Sequence, residues 1–503
     1  MRGERRNVDR DLRLVLALAA AKLLFHAATN GRYGFHRDEL ATLDDARHLA
    51  WGYVAYPPLT PFVGRLALGL FGTSLTGFRL FAALAQSVVA LLAALMARRF
   101  GGGRAAMLLA MVAAAIAPVS LSASALFQYV SFDSLWFVLA AYLVARLADS
   151  GDARLWIAVG AVLGLGVLTK YTVAFFAAGV VAGVLFTPLR AHLRSRWIWI
   201  GVAVSLAVAA PNIAWQARHG FISLEFLREI HARDVAIGRT SGFLLDQLRG
   251  SANPVTVPLW ALGVFALAFG GRLRRVRALA WMAVVPFLLM AAAKGRGYYT
   301  GPLYPMLLAA GAAETERLLL GVSAAGRRAA YAGAALLLLA GSSVALVALP
   351  LAPPGSALFR FACRENGDLP EEIGWPELVA EVARIHRAIP AAERARTGIF
   401  CANYGEAGAV DLYGPAHGLS AAIGNVNSYW LRGPGDPPPS TLIVLGATRE
   451  RLEARFASVE LAGHAPNPWR VENEETTRHP DIFVCRDPLV PLSEVWPKIR
   501  SFG

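Results

Sequence analysis

Residues Gly34–Leu59 read GFHRDELATLDDARHLAWGYVAYPPL. Four acidic residues, Asp38, Glu39, Asp44 and Asp45, gather there between strongly apolar stretches, and Tyr56-Pro57-Pro58 closes the segment. The side of a membrane that this segment faces decides both fold and chemistry. The chain of 503 residues is 56% hydrophobic and only 17% charged, with a mean hydropathy of +0.46. A soluble protein carries more charge, and runs long enough to cross a bilayer recur along most of the sequence. The class is therefore a mainly α, polytopic membrane protein. The net charge of +14 does not indicate nucleic acid, because the arginines lie in short clusters between apolar runs, as in cytoplasmic loops.

Those clusters thread the chain. Residues 1–30 have the basic start and apolar core of a signal peptide. The long apolar run and the many that follow make this an uncleaved first span. Arg2, Arg5, Arg6 and Arg10 place the N-terminus in the cytoplasm. The first span is about Leu12–Thr29, so the acidic segment lies outside. The second, about Gly77–Ala97, returns to Arg98-Arg99 and Arg104. Spans three and four, about Ala105–Leu121 and Phe132–Ala145, form a hairpin back to Arg146 and Arg154. Residues 155–187 divide at Thr169-Lys170-Tyr171 into two short spans. Span seven, about Trp197–Ile213, leads to an outer loop over Trp215–Asn253. Spans eight to ten alternate through RLRRVR at 272–277 and KGRGYY at 294–299 to Arg317, Arg327 and Arg328. An eleventh, about Ala329–Leu349, leaves the C-terminus outside. Leu59–Phe71 is too short to span and is expected in the interface.

From Pro353 charge, Pro and Gly rise and spanning runs stop. TGIFCANYGEAGAVDLYG reads as strand, turn and helix, STLIVLG and DIFVCR as buried strands, and TRERLEARF as an amphipathic helix. The expected organisation is a membrane domain over 1–350 and a small extracytoplasmic α/β domain over 351–503. Cys363, Cys401 and Cys485 all fall in the latter, match no zinc spacing and leave one disulfide open.

No loop on the cytoplasmic side can hold a nucleotide-binding domain, and no P-loop glycine motif occurs. An activated substrate must then already be outside, and a lipid-linked donor meets that need. A hydroxyl acceptor requires a base, and Asp38 with Glu39, at the outer mouth of the first span, is placed for it. Asp44 and Asp45 are expected only to solvate a helix start. Tyr56-Pro57-Pro58 re-aims the chain. A lipid phosphate calls for cations outside: Arg79, Lys170, Arg218 with His219, and Lys294 with Arg296 on a glycine-flexed turn beside Tyr298. Lys22 and His26 read as interior residues, Trp430 as core, and ANYGEAGAVDLYG as packing before acceptor contact.

FHRDELATLDDARHLAWGYVAYPPLTPFVGRL, GFRLFAALAQ, GLGVLTKYT and KGRGYYTGPLYP, in that order, resemble bacterial glycosyltransferase family 39, relatives of protein O-mannosyltransferases and aminoarabinose transferases, over about residues 10–315. The resemblance implies a GT-C fold, a polyprenyl-phosphate sugar donor and inverting transfer of a hexosyl or pentosyl group. Asp38 matches the family's catalytic acidic residue, with Glu39 its neighbour. Arg79 matches a recurrent arginine, and Tyr56-Pro57-Pro58 matches an X-Pro-Pro turn. Relatives acting on lipid A carry Glu-Lys before the prolines. Here Ala55-Tyr56 stands instead, which moves the expected phosphate contact to Lys170, Lys294 or Arg296.

The expectation is a bacterial inner-membrane glycosyltransferase acting on a lipid, polysaccharide or protein acceptor, with a divalent cation left open as cofactor. The alternative is a transporter or flippase of lipid-linked sugars. It should show repeat symmetry and helices broken at the midplane; neither is evident, and the ionisable residues concentrate at span ends.

Overall fold

A computed structural model describes residues 2–503, with side chains from Asp9 onward. The arginine side chains at positions 2, 5 and 6, assigned to cytoplasmic anchoring, lie outside the described residues. Every expected span is helical. Helix α1 covers Arg2–Thr29, α2 Arg37–Arg47, α3 Leu59–Phe71 and α4 Leu75–Arg99. A bent pair follows, α5 (Arg104–Ala115) and α6 (Pro118–Ala125), then α7 (Tyr129–Ser150). The 155–187 segment breaks where its lysine interrupts it, into α8 (Leu155–Val167) and α9 (Val173–Leu185). Helix α10 runs over Arg196–Arg218, five residues further than expected, and α11 covers Ile222–Ala236. The remaining spans are Val257–Phe269, Ala278–Ala292, Tyr304–Leu319 and Ala324–Gly341.

Among the described residues five helices are long and apolar enough to cross a membrane alone, and up to eight when each bent pair counts as one. Short spans such as α8, with 13 residues, pack tightly instead. A Cβ at Gly160 of α8 would collide with the carbonyl of Gly201 in α10, so these helices meet backbone to backbone. Local chemistry sets the ends: Ser74 accepts from the Gly77 amide at 3.2 Å to cap α4, and Arg98 and Arg99 sit in its last turn, where the macrodipole favours cations.

The C-terminal part holds a five-stranded sheet in the order β2-β1-β3-β5-β4. Strands β1 (Thr397–Cys401), β2 (Ala422–Gly424) and β3 (Thr441–Leu445) are parallel; β4 (Phe456–His464) and β5 (Asp481–Pro488) run antiparallel. The expected strand-turn-helix is β1 followed by the Tyr404–Tyr413 helix. TRERLEARF is corrected: only Arg449–Glu453 is helical, because Phe456 already pairs with β5. The disulfide left open by the sequence does not form here. All three cysteines are free, and β3 separates Cys401 in β1 from Cys485 in β5.

This unit docks on α2. Leu40 and Leu43 share one buried cluster with Phe78, Phe127, Trp375 and Val410. The docking is close: a Cβ at Gly408 would lie 2.7 Å from Leu40 Cβ and 2.9 Å from its carbonyl oxygen. Substituting Gly408→Val should therefore cost about 1–3 kcal/mol by overpacking, lowering the thermal midpoint and exposing the C-terminal part to limited proteolysis. Gly367→Ala, with open space at its Cβ, is the control. Equal midpoints for the two variants would show that the contact is not tight.

Candidate active site

Helix α2 starts on a capping box. His36 Nδ1 accepts from the Asp38 amide at 3.1 Å, while Glu39 Oε2 accepts from the His36 amide at 2.8 Å. This fixes the first turn and sends neighbouring carboxylates in different directions. Asp38 is half-buried and lines a cavity of ≈1050 Å³. Its Oδ1 accepts from Tyr404 Oη at 2.8 Å and its Oδ2 from Gln128 Nε2 at 3.1 Å.

Glu39 points into the protein and is fully buried. Arg79 holds it through Nε at 2.9 Å and Nη2 at 2.7 Å, and the Phe127 amide adds a third donor at 2.7 Å. Arg79 Nη1 also donates to the Asn30 carbonyl at 2.7 Å and to Glu372 at 3.2 Å, and Nη2 to the Gly34 carbonyl at 3.1 Å. All five N–H donors of the guanidinium are engaged. Two expectations are thereby corrected. Arg79 has no donor left for a phosphate, and Glu39 does not reach the cavity; both are structural, held behind Asp38.

Of the other expected cations, Lys170, Lys294 and Arg296 line the cavity. Lys170 is buried, with Nζ 3.8 Å from the Tyr299 ring centroid, 5.0 Å from Tyr129 and 5.3 Å from Tyr298. Arg296 donates from Nε to Asp234 Oδ2 at 2.6 Å, which commits part of its fork. Lys294 is exposed, with φ 49°. Arg218 and His219 are exposed and stand away from the cavity wall, His219 stacking on Trp215. Trp430 packs with Trp496 as core, and Lys22 donates to Ser124 at 2.9 Å inside the helix bundle.

Asp44 and Asp45 overturn their assignment to solvation, being 2% and 4% exposed. Helix α2 is covered by the C-terminal part, so neither meets bulk water. Arg432 grips Asp44, one contact being 2.9 Å. Burial opposes ionisation of Asp44, yet hydrogen bonds from His48 and Arg432 hold it below the usual carboxylate range. Asp45 accepts from Tyr56 Oη at 2.7 Å and is pushed up to about 7 by burial and by Asp44. Pro57 lines the cavity with Tyr56, and Pro58 caps α3. Sequence reading missed Tyr404, Gln128, Tyr129, Asp234 and Arg432. Of these only Tyr404 lies in a stretch singled out from the sequence, ANYGEAGAVDLYG, which reads as packing before acceptor contact. Among the described residues no group of three or more His, Cys, Asp or Glu side chains could hold a metal ion.

Residues 55–215 match the family described as dolichyl-phosphate-mannose-protein mannosyltransferase. A curated relative, the lipid A galacturonosyltransferase RgtD of Rhizobium johnstonii, is 28% identical over 261 residues, which is 49% of this chain and 54% of that protein. The match thus spans about half the length of the relative. Among solved structures, ArnT from Cupriavidus metallidurans superposes in its apo state with a TM-score of 0.58 at 14% identity, and bound to undecaprenyl phosphate with 0.54 at 15%; each covers 94% of this chain and 97% of that one. The Archaeoglobus fulgidus oligosaccharyltransferase tethered with an acceptor peptide gives 0.51 at 12%, covering 78% and 62%. The fold is that of a multi-pass GT-C membrane protein. The family model and the curated relative are thus similarities over about half of the chain or less, and the solved structures show the fold.

Glu372 allows a test of the buried cluster. Burial and the neighbouring Glu39 push its carboxyl up to about 7, against the pull of Arg79. In the unfolded chain it titrates at about 4.3. Between those values the folded state keeps a proton that the unfolded state has lost, so stability falls as pH rises through the window. The thermal midpoint should drop between about pH 5 and about pH 7.5, and Glu372→Gln should flatten part of that drop. An unchanged slope in the variant would mean that Glu372 is ionised in the fold.

Proposed function

We propose that this chain transfers a sugar from a polyprenyl-phosphate donor to an acceptor hydroxyl on the outer side of a bacterial inner membrane, with inversion and with Asp38 as general base. The observation that carries the reading is one cavity that combines an oriented carboxylate with the cationic groups of Lys170, Lys294 and Arg296. Asp38, held by Tyr404 and Gln128, takes the acceptor proton as the acceptor oxygen bonds to the anomeric carbon. The bond from that carbon to the phosphate oxygen breaks, and the charge developing on the phosphate falls to Lys170, Lys294 and Arg296. The large volume suits a lipid head group and an acceptor together. That the fold neighbour was solved with undecaprenyl phosphate supports a carrier of this class. The acceptor is a lipid, polysaccharide or protein. The N-terminus is placed in the cytoplasm and the C-terminal unit outside, on the alternation of arginine clusters.

Replacing Asp38 by Asn keeps shape but cannot accept the proton. Glycan and lipid mass spectrometry of the cell envelope should show a modification that the wild-type gene restores to a deletion strain. The Asp38→Asn gene, matched for protein level, should fail to restore it, with transfer by purified enzyme down roughly 10²–10⁴-fold. Full restoration would sink the mechanism. For topology, a reporter fused after Gly355 should read as exported and one at Arg274 as cytoplasmic. The opposite pattern would put Asp38 on the wrong side for this donor.

A further inference from the structure

Beside the main cavity lies a second, smaller one of ≈160 Å³, in the C-terminal unit. Its position follows from the strand order. The chain leaves β1 through the Tyr404–Tyr413 helix to β2 on one side, then crosses back to β3 on the other side of β1. Where successive connections of a parallel sheet diverge, a crevice opens at the carboxyl ends of the strands, and such switch points are where ligands bind in open α/β sheets. This crevice lies there. Ala402, Asn403 and Glu406 follow β1, and Gly446 follows β3. Arg37, Tyr404 and Glu474 line both cavities, so the crevice adjoins the wall that carries Asp38.

The lining holds buried polar atoms without partners. Glu406 is 3% exposed and Glu475 5%, and the Oε2 atom of each is buried without a hydrogen-bond partner. The other oxygen of Glu475 accepts from Asn403 Nδ2 at 3.3 Å. Arg37 pairs with Glu474 through Nη1 and lies 3.7 Å from Glu371; its Nε is buried without a partner and bonds to neither Oε2. Gly446, at φ 72°, keeps the crevice open: a Cβ there would stand 2.7 Å from Glu406 Oε2. Buried carboxylate oxygens without partners are costly. What each Oε2 lacks is a donor; burial pushes both carboxyls up, Glu475 to about 7, against the pull of Arg37, and a positively charged donor in the crevice would favour their ionised form.

We propose that this crevice binds a primary ammonium group, such as that of an amino sugar, through Glu406 and Glu475, and that it forms part of the acceptor site. Only its role as an acceptor subsite rests on the transferase reading; the binding itself does not. An ammonium brings three N–H donors and one charge, enough to satisfy both Oε2 atoms. A neutral hydroxyl brings one donor, and an N-acetyl group removes the charge.

The test is saturation-transfer NMR on the full chain in nanodiscs, titrated with glucosamine, glucose or N-acetylglucosamine. Glucosamine should bind about tenfold more tightly than either neutral sugar. Glu475→Gln, which keeps an oxygen for Asn403, should abolish the preference, and so should Glu406→Gln. Asp38→Asn should keep it, since that carboxylate lies outside the crevice. Equal binding of the three sugars, no binding of glucosamine, or a preference that survives in Glu475→Gln at an unchanged thermal midpoint would overturn the proposal. Binding is read without turnover. A chain that prefers glucosamine yet transfers no sugar overturns the transferase reading and leaves the ammonium site standing.

Discussion

One buried guanidinium organises the region on which the chemistry depends. Arg79, at 0% exposure, sends its five N–H donors to the end of the first span, to the Gly34 carbonyl, to Glu39 and to Glu372. These partners lie on α1's end, the following turn, α2 and the segment that leads into the C-terminal unit. A charge in such a place is tolerated only with its hydrogen bonds complete, and losing one partner strands the other as an uncompensated charge, a loss of about 3–5 kcal/mol. The arrangement therefore acts as a geometric lock: it leaves α2 one orientation in which the lock can close.

That orientation is what exposes Asp38. Successive residues of a helix point about 100° apart, so seating Glu39 against Arg79 turns Asp38 toward the cavity. There it meets donors from opposite parts of the chain, Gln128 at the start of α7 and Tyr404 in the C-terminal unit. The C-terminal unit is thus part of the cavity wall and not an appendage. Arg37, Arg47 and Arg432 add three further ties between α2 and that unit, to Glu474, the Asp411 carbonyl and Asp44. Fold and site share one interface, so substitutions there should affect both.

The helical architecture was legible because bilayer thickness and arginine placement are one-dimensional constraints. Even the break at Lys170 showed itself as a charge inside an apolar run. The acidic segment read as a candidate site, and it does border the main cavity, but the split of roles within it was not legible. Composition cannot say which of two adjacent carboxylates faces a cavity, and Arg79 reads equally as a phosphate ligand or a buried partner until Glu39 and Glu372 are seen around it. The spacing of Asp38, Thr42 and Asp45 on one helical face was available and pointed to a shared orientation; all three line the cavity. The Tyr404 contact spans 366 residues, and no local pattern signals it. The helix expected through Phe456 failed because sheet pairing overrode an amphipathic pattern.

The central claim is that the donor phosphate sits on the cavity cations while Arg79 stays locked behind Asp38. A cryo-EM structure of the chain with undecaprenyl phosphate tests it most directly. The account predicts phosphate density within hydrogen-bonding distance of Lys170, Lys294 or Arg296, with the Arg79–Glu39 pair intact. Phosphate in contact with Arg79, or seated outside the cavity that Asp38 lines, would contradict it.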